Sequence, residues 1–371
     1  MSIEFTIQAI KATTDKYLKN YQDLTMRKRF MLSYLKKAGR IVTGETGPNI
    51  VWKVKARHPA VTSTSGSRSD FAMADVYETL TIGHGQLRST NKIDRETLLV
   101  NRGETQIINL ADEMAKDCSD ALGKALGENF YVDNSSDSAQ LTGLQTLIRP
   151  DVGANTDRIA VPASGSTYGG KSMVLGALGG RWSKTLGTGN YYNTKLGSSL
   201  QNDWPEGQGD PQYDYLAPKM FNYTGNWSTS NNWATNCEKV MRRAVVSINA
   251  LGGEGVAPAV HVLAPGLYTE FQDSVQDRER LTPSDYANKM GFPEMMSYAG
   301  ALLAYDYDCP AGTGYALNPQ EMALCSMSDQ LFYTDGPTWD IQEGAYLFLI
   351  GFMGNYRWNP KYIASYGKYT V

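Results

Sequence analysis

Apolar residues recur every three or four positions over 104–130: Ile107, Ala111, Met114, Cys118, Ala121 and Ala125, with Leu110, Leu122 and Leu126 widening the stripe. That spacing gathers them on one face and predicts a long amphipathic helix. Gly103 marks its start, and Gly123 and Gly127 weaken its end, since glycine costs about 1 kcal/mol per helical position. A second helix is predicted over about 233–250, with Cys237, Val240, Met241, Ala244 and Ile248 on one face, an N-cap offered by Ser230, Asn231 and Asn232, and GGEG at its end. Over 50–90 the period changes to two. Trp52, Val54 and Ala56 alternate with Lys53, Lys55 and Arg57, and Val76, Glu78, Leu80 and Ile82 with Tyr77, Thr79 and Thr81. This predicts a long hairpin around the polar stretch TSTSGSRSD. Two strands alone are marginal in water, so the hairpin is expected to pack on something else, another subunit included.

Farther along, 259–263 reads as a strand, 267–280 as a helix and 301–307 as a strand, an α+β or βαβ unit without a glycine-rich dinucleotide loop. From 313 to 371 the pattern is of short strands: GYALNP, MALCSM, QLFYTD and AYLFLIGFMGNYRWNP. Residues 5–40 are helical in part. There Arg27, Lys28, Arg29, Lys36, Lys37 and Arg40 are interleaved with Phe30, Met31, Leu32, Tyr34 and Leu35. Two readings stay open for this cluster, a solvated helix face and a surface that faces a polyanion.

The 371 residues suffice for two or three domains or one elaborated one, and 42% hydrophobic content supports a real core. The strongest apolar run, AYLFLI at 345–350, is far too short to span a bilayer. The N-terminus lacks the layout of a signal peptide, so folding in a cytoplasm is expected, and the sequons at Asn134, Asn222 and Asn226 carry no meaning. A net charge of -3 argues against tight nucleic-acid binding by the chain as a whole and is compatible with dense self-association. Cys118, Cys237, Cys309 and Cys325 form no C-x-x-C pair and are expected to be buried thiols. His58, His84 and His261 have no metal-ligand spacing, and His261 lies in an apolar run as a core histidine would. The 23 Tyr and 7 Trp, accompanied by Asn, Gly and Ser over about 160–235, suit wet contact surfaces or large ordered loops.

One string invites an enzymatic reading. GSTYGGKS at 165–172 fits the phosphate-cradling pattern G-x-x-x-x-G-K-[ST], with Lys171 and Ser172 in its key positions. Its chemistry requires a strand before the loop and a helix beginning at the Lys-Ser pair. Gly176, Gly179 and Gly180 oppose such a helix, and the acidic candidate for Mg²⁺, Asp306 after ALLAY, is unremarkable. The expectation is a surface loop that imitates the motif.

The order of elements, together with several local phrases, resembles the major capsid protein family of tailed bacteriophages. The phrases are Glu128-Asn129-Phe130 at the end of the long helix, Gly143 before Leu144-Gln145-Thr146-Leu147-Ile148, and Arg181-Trp182. They continue with Tyr286, Gly291-Phe292, Tyr298-Ala299-Gly300, Asp306, Asp308-Cys309-Pro310, and Gly314-Tyr315-Ala316-Leu317-Asn318. The resemblance spans about 40–360. It implies an α+β capsid fold divided into an N-terminal arm (1–47), an E-loop hairpin (48–92), a peripheral domain with the spine helix (93–143), an axial domain (144–326) and C-terminal strands completing the peripheral domain (327–371). The segment 185–235 would be an elaboration of the axial domain.

By that resemblance the protein is a structural virion protein, not an enzyme, and takes no cofactor or metal. Copies would meet as pentamers and hexamers in an icosahedral or prolate shell around double-stranded DNA, assembled in a bacterial cytoplasm, with no membrane involved. The chain begins without the family's fused scaffolding segment, so a separate scaffolding protein and a portal are implied, and there is room for a decoration protein. Lys53, Lys55, Arg57, Arg68 and Asp70 would act between subunits, and Arg27, Lys28, Arg29, Lys36 and Lys37 would form an interior basic face touching DNA non-specifically. No covalent crosslink is expected. The competing classes are a P-loop nucleotide-binding enzyme using Lys171 and Ser172, and a host-surface binding module built on the Tyr- and Asn-rich segment.

Overall fold

The computed structural model describes residues 30–55, 77–96, 104–133, 140–150, 159–160, 163, 165–173, 182–183, 204–205, 215–216, 218–225, 227, 230–251, 259–275 and 296–369. The first part of the chain holds α1 (Phe30–Lys37), β1 (Ile41–Val42), β2 (Asn49–Lys55), β3 (Tyr77–Gly83), β4 (Gly85–Asp94), the long helix α2 (Glu104–Asn129) and the short α3 (Leu144–Leu147). Next come β5 (Ile159–Ala160), β6 (Thr167–Tyr168), β7 (Lys171–Ser172), β8 (Trp182–Ser183), β9 (Trp204–Pro205) and β10 (Lys219–Asn222). They are followed by α4 (Trp233–Leu251), β11 (Val260–Leu263), α5 (Pro265–Val275), β12 (Met296–Tyr298), β13 (Ala301–Tyr305) and β14 (Gly314–Leu317). The C-terminal part adds β15 (Met322–Ser326), β16 (Tyr333–Asp340), β17 (Ala345–Trp358) and β18 (Ala364–Gly367).

A five-stranded sheet is built around β17. This single strand of 14 residues takes β4 along one edge and, on the other, first β16 and then β15, to which β1 adds in parallel. The sequence pattern predicted short pieces here, and the outcome is one continuous strand. Its residues are buried or half-buried from Ala345 to Trp358, as a strand covered on both faces would be. Helix α2 packs on β4 and β17. Its buried line runs through Ala115, Cys118, Leu122 and Leu126, whereas Ala121, expected on that face, is exposed. The leucines rather than the alanines set the centre of the stripe, because they carry more apolar area. Gly123 and Gly127 lie within the helix and are buried, so the helix continues through them to Asn129.

The second sheet has seven strands in the order β12-β13-β11-β14-β18-β10-β5. Its core brings Cys237, Val240, Met241, Ala244 and Ile248 of α4 against Leu267, Tyr268 and Phe271 of α5 and against Leu263, Leu303 and Tyr366 of the sheet. The face predicted for α4 is therefore the buried one. Asn232 caps it, its Oδ1 accepting the Thr235 N–H at 3.1 Å. The C-terminal strands are divided between the sheets: β15 belongs to the five-stranded sheet, and β18 lies within the seven-stranded one. A 3-10 turn over Pro360–Tyr362 redirects the chain between the sheets. The hairpin is also shorter than expected: β3 ends at Gly83, and β4 leaves it to pair with β17.

The five-stranded sheet, the base of the hairpin and the end of α2 meet at residues 355–358. Asn355 Oδ1 accepts from the Thr142 N–H (2.7 Å) and the Tyr356 N–H (2.8 Å), and its Nδ2 donates to Gly83 O (2.8 Å) and Thr142 Oγ1 (3.2 Å). Trp358 Nε1 donates to Thr142 O at 2.6 Å, and Tyr356 OH to Leu126 O at 3.1 Å. Gly143 lets the 140–147 segment approach the end of α2, where a Cβ would stand 2.4 Å from Val132 O and 2.5 Å from Asn129 O.

Two outcomes are expected from this packing. Asn355→Ala leaves the buried Thr142 N–H without its partner, a loss costing about 1–3 kcal/mol, so the denaturation midpoint should fall; an unchanged midpoint would count against this role. His261 is fully buried with Nδ1 2.9 Å from Tyr366 OH, and burial lowers its pKa from 6.5 to about 4. The unfolded imidazole takes up a proton first as pH falls, so stability is lost between about pH 6.5 and 4 at a limiting slope of about 1.4 kcal/mol per unit. Urea unfolding at pH 7 and 5 should show a smaller difference for His261→Gln than for the parent chain.

Candidate assembly interface

The hairpin strands β2 and β3 present two unlike faces. Ile50, Val54, Leu80 and Ile82 are buried, while Val51, Lys53, Lys55 and Tyr77 are exposed. The base of the hairpin is held by its own chain. Trp52 packs on Tyr168 with ring centroids 6.0 Å apart, the Thr81 N–H donates to Gly169 O at 3.3 Å, and Lys171 Nζ meets Glu78 Oε2 at 2.8 Å. Packing within the subunit thus satisfies this base, a partner that the alternation of the sequence left open.

That same contact decides the fate of GSTYGGKS. Its residues form the small hairpin β6–β7, with Gly169 and Gly170 at φ +59° and +76°. Two successive residues of positive φ make the tight turn that joins antiparallel strands. Lys171 and Ser172 are in a strand rather than at a helix N-terminus, so no array of backbone N–H groups converges on a phosphate there. Tyr168 is buried; its OH accepts from the Trp358 N–H at 2.9 Å. The expected surface loop is therefore a structural turn that braces the larger hairpin. Asp306 is engaged elsewhere: Tyr131 OH donates to its Oδ2 at 3.0 Å and the Asp308 N–H to its Oδ1 at 3.2 Å. Burial raises the Asp306 pKa.

Of the residues expected to act between subunits, Lys53 and Lys55 stand exposed on the same face of β2, and Arg57, Arg68 and Asp70 lie outside the described residues. Of the expected basic face, Arg27, Lys28 and Arg29 lie outside them too. Lys36 and Lys37 are exposed in the last turn of α1, where positive charge complements the helix dipole. The interleaved Phe30, Met31, Leu32, Tyr34 and Leu35 are buried, and Arg40 Nε donates to Pro319 O at 3.0 Å. All four cysteines are free and buried. Burial pushes their thiol pKa values up, that of Cys325 to about 11, which disfavours the reactive thiolate. Among the described residues no group of three His, Cys, Asp or Glu could hold a metal ion, and no helix is long and apolar enough to cross a membrane.

Several exposed apolar side chains escaped the sequence reading. Ile341 is 85% exposed, Tyr307 79%, Tyr77 63% and Val51 56%, so large apolar groups stand on separate parts of the surface. Val51 and Tyr77 were legible as the outward phase of the hairpin alternation; Ile341, alone among polar residues in DIQEG, gave a weaker signal.

No family model matches the chain, and no curated protein does. Solved structures do match over most of its length. A chain of the cyanophage A-1(L) capsid asymmetric unit is 12% identical, with 89% of this chain and 90% of that chain covered at a TM-score of 0.56. A chain from the capsid of a native GTA particle is 12% identical, with 90% and 89% covered at 0.48, and one from the capsid of Myoviridae phage XM1 is 10% identical, with 89% and 90% covered at 0.46. Long helix, two-stranded hairpin and paired sheets together give this chain the fold of the tailed-phage major capsid proteins.

Proposed function

We propose that this protein is a shell subunit, the major capsid protein of a tailed bacteriophage, which self-assembles around double-stranded DNA. The observation that carries the reading is the shared fold with the cyanophage capsid chain over 89% of this sequence. In this reading the hairpin reaches a neighbouring subunit through Lys53, Lys55, Arg57, Arg68 and Asp70, and the seven-stranded sheet belongs to the axial part that meets its copies in pentamers and hexamers. Arg27, Lys28, Arg29, Lys36 and Lys37 face the packaged DNA or an acidic scaffold. A separate scaffolding protein and a portal complete assembly in the bacterial cytoplasm. The work is geometric, with no turnover.

Sedimentation of the purified chain tests the proposal: discrete capsomer or shell species are expected, and a lone 40.9 kDa monomer at all concentrations would oppose it. Deleting residues 64–69 at the polar turn of the hairpin should leave the monomer folded by circular dichroism yet suppress particle formation. Normal particles from this deletion, or an unfolded monomer, would contradict the inter-subunit role. For the enzyme alternative, Lys171→Ala should lower stability by no more than about 1 kcal/mol, as expected for a partly exposed ion pair, and should change no ATP binding, because calorimetric titration of the parent chain should detect none.

A further inference from the structure

The strand β2 pairs with β3 on one side only; among the described residues no strand covers its other edge. That edge lines a cleft of about 450 Å³ between the hairpin and the body. Residues from both faces of β2, Trp52 and Val54 as well as Lys53 and Lys55, contribute to the lining, as they do where a cleft runs along a strand edge. The opposite wall supplies Arg357, Lys361 and Arg40, so five lining side chains are cationic and one, Glu321, is acidic. Glu321 is already engaged, its Oε2 accepting from Asn359 Nδ2 at 2.7 Å. Lys53, Lys55 and Arg357 form no salt bridge among the described residues.

We infer that this cleft is a docking site for an extended acidic peptide segment of another polypeptide, which adds as a strand to the free edge of β2. An edge strand offers alternating N–H and C=O groups at the repeat of a peptide backbone, and strand addition draws its affinity from them. The surrounding cations then select for carboxylates on the incoming strand. A phosphodiester backbone matches the charge but has acceptors and no donors, so it would leave the carbonyls of the edge unmet. The inference stands apart from the shell reading, since the dispersed chain should bind the peptide by itself.

The test is fluorescence anisotropy on the full chain with a labelled heptapeptide of alternating glutamate and valine. Two comparison probes are the same peptide N-methylated at alternate amides and a heptathymidylate. The acidic peptide should bind, more tightly at low salt, and slow amide exchange over residues 51–55. N-methylation should weaken binding at least tenfold, and so should Lys53→Glu, an exposed substitution that leaves the fold intact. Arg357→Glu should act in the same direction, with circular dichroism checking that β17 survives. Absence of peptide binding, equal binding of the N-methylated probe, or tighter binding of heptathymidylate would each overturn the proposal, the last of them in favour of a nucleic-acid site.

Discussion

Asn355 and Trp358 hold together segments that are far apart in the chain. The amide of Asn355 joins the end of the hairpin at Gly83 to Thr142, just beyond the long helix, and the indole of Trp358 donates to the same Thr142. Around these bonds Phe130 stands edge-on to both Tyr356 and Trp358, with centroids 5.4 and 5.1 Å apart. The bonds to Thr142 and Leu126 are buried, so each one that fails leaves a costly unsatisfied partner. The direction in which the hairpin leaves the body therefore follows from the same few residues that seat the helix on the five-stranded sheet.

A second fastening lies beside it. Tyr168 joins this junction through Trp358, while its neighbours Gly169 and Lys171 grip Leu80, Thr81 and Glu78 of β3. On the other side, Tyr131 at the end of the helix reaches Asp306 after β13. The described strands of the hairpin are thus fastened to the body on the Tyr168 side.

Much of this was legible in the sequence. The long helix, the helix after Asn232, the hairpin alternation and the buried His261 follow from periodicity and from capping chemistry. What was not legible depended on contacts distant in sequence. Nothing local in ASYG says that β18 crosses to the seven-stranded sheet, and nothing in GGKS says that its lysine meets Glu78, 93 residues away. On the face predicted for α2, Ala121 alone among the described residues is exposed, because period does not weigh side-chain size. Lys53 and Lys55 were legible by phase as the exposed face of β2, and the cleft beside them was missed because its other wall comes from Arg40, Tyr215 and residues of 320–322 and 357–362.

A three-dimensional reconstruction of particles formed by the expressed chain addresses the central claim most directly. A closed shell is expected, in which each hairpin lies across an adjacent subunit and the seven-stranded sheets stand nearest the five-fold and six-fold axes. Particles in which the hairpin folds back on its own subunit and the five-stranded sheets surround those axes would contradict it.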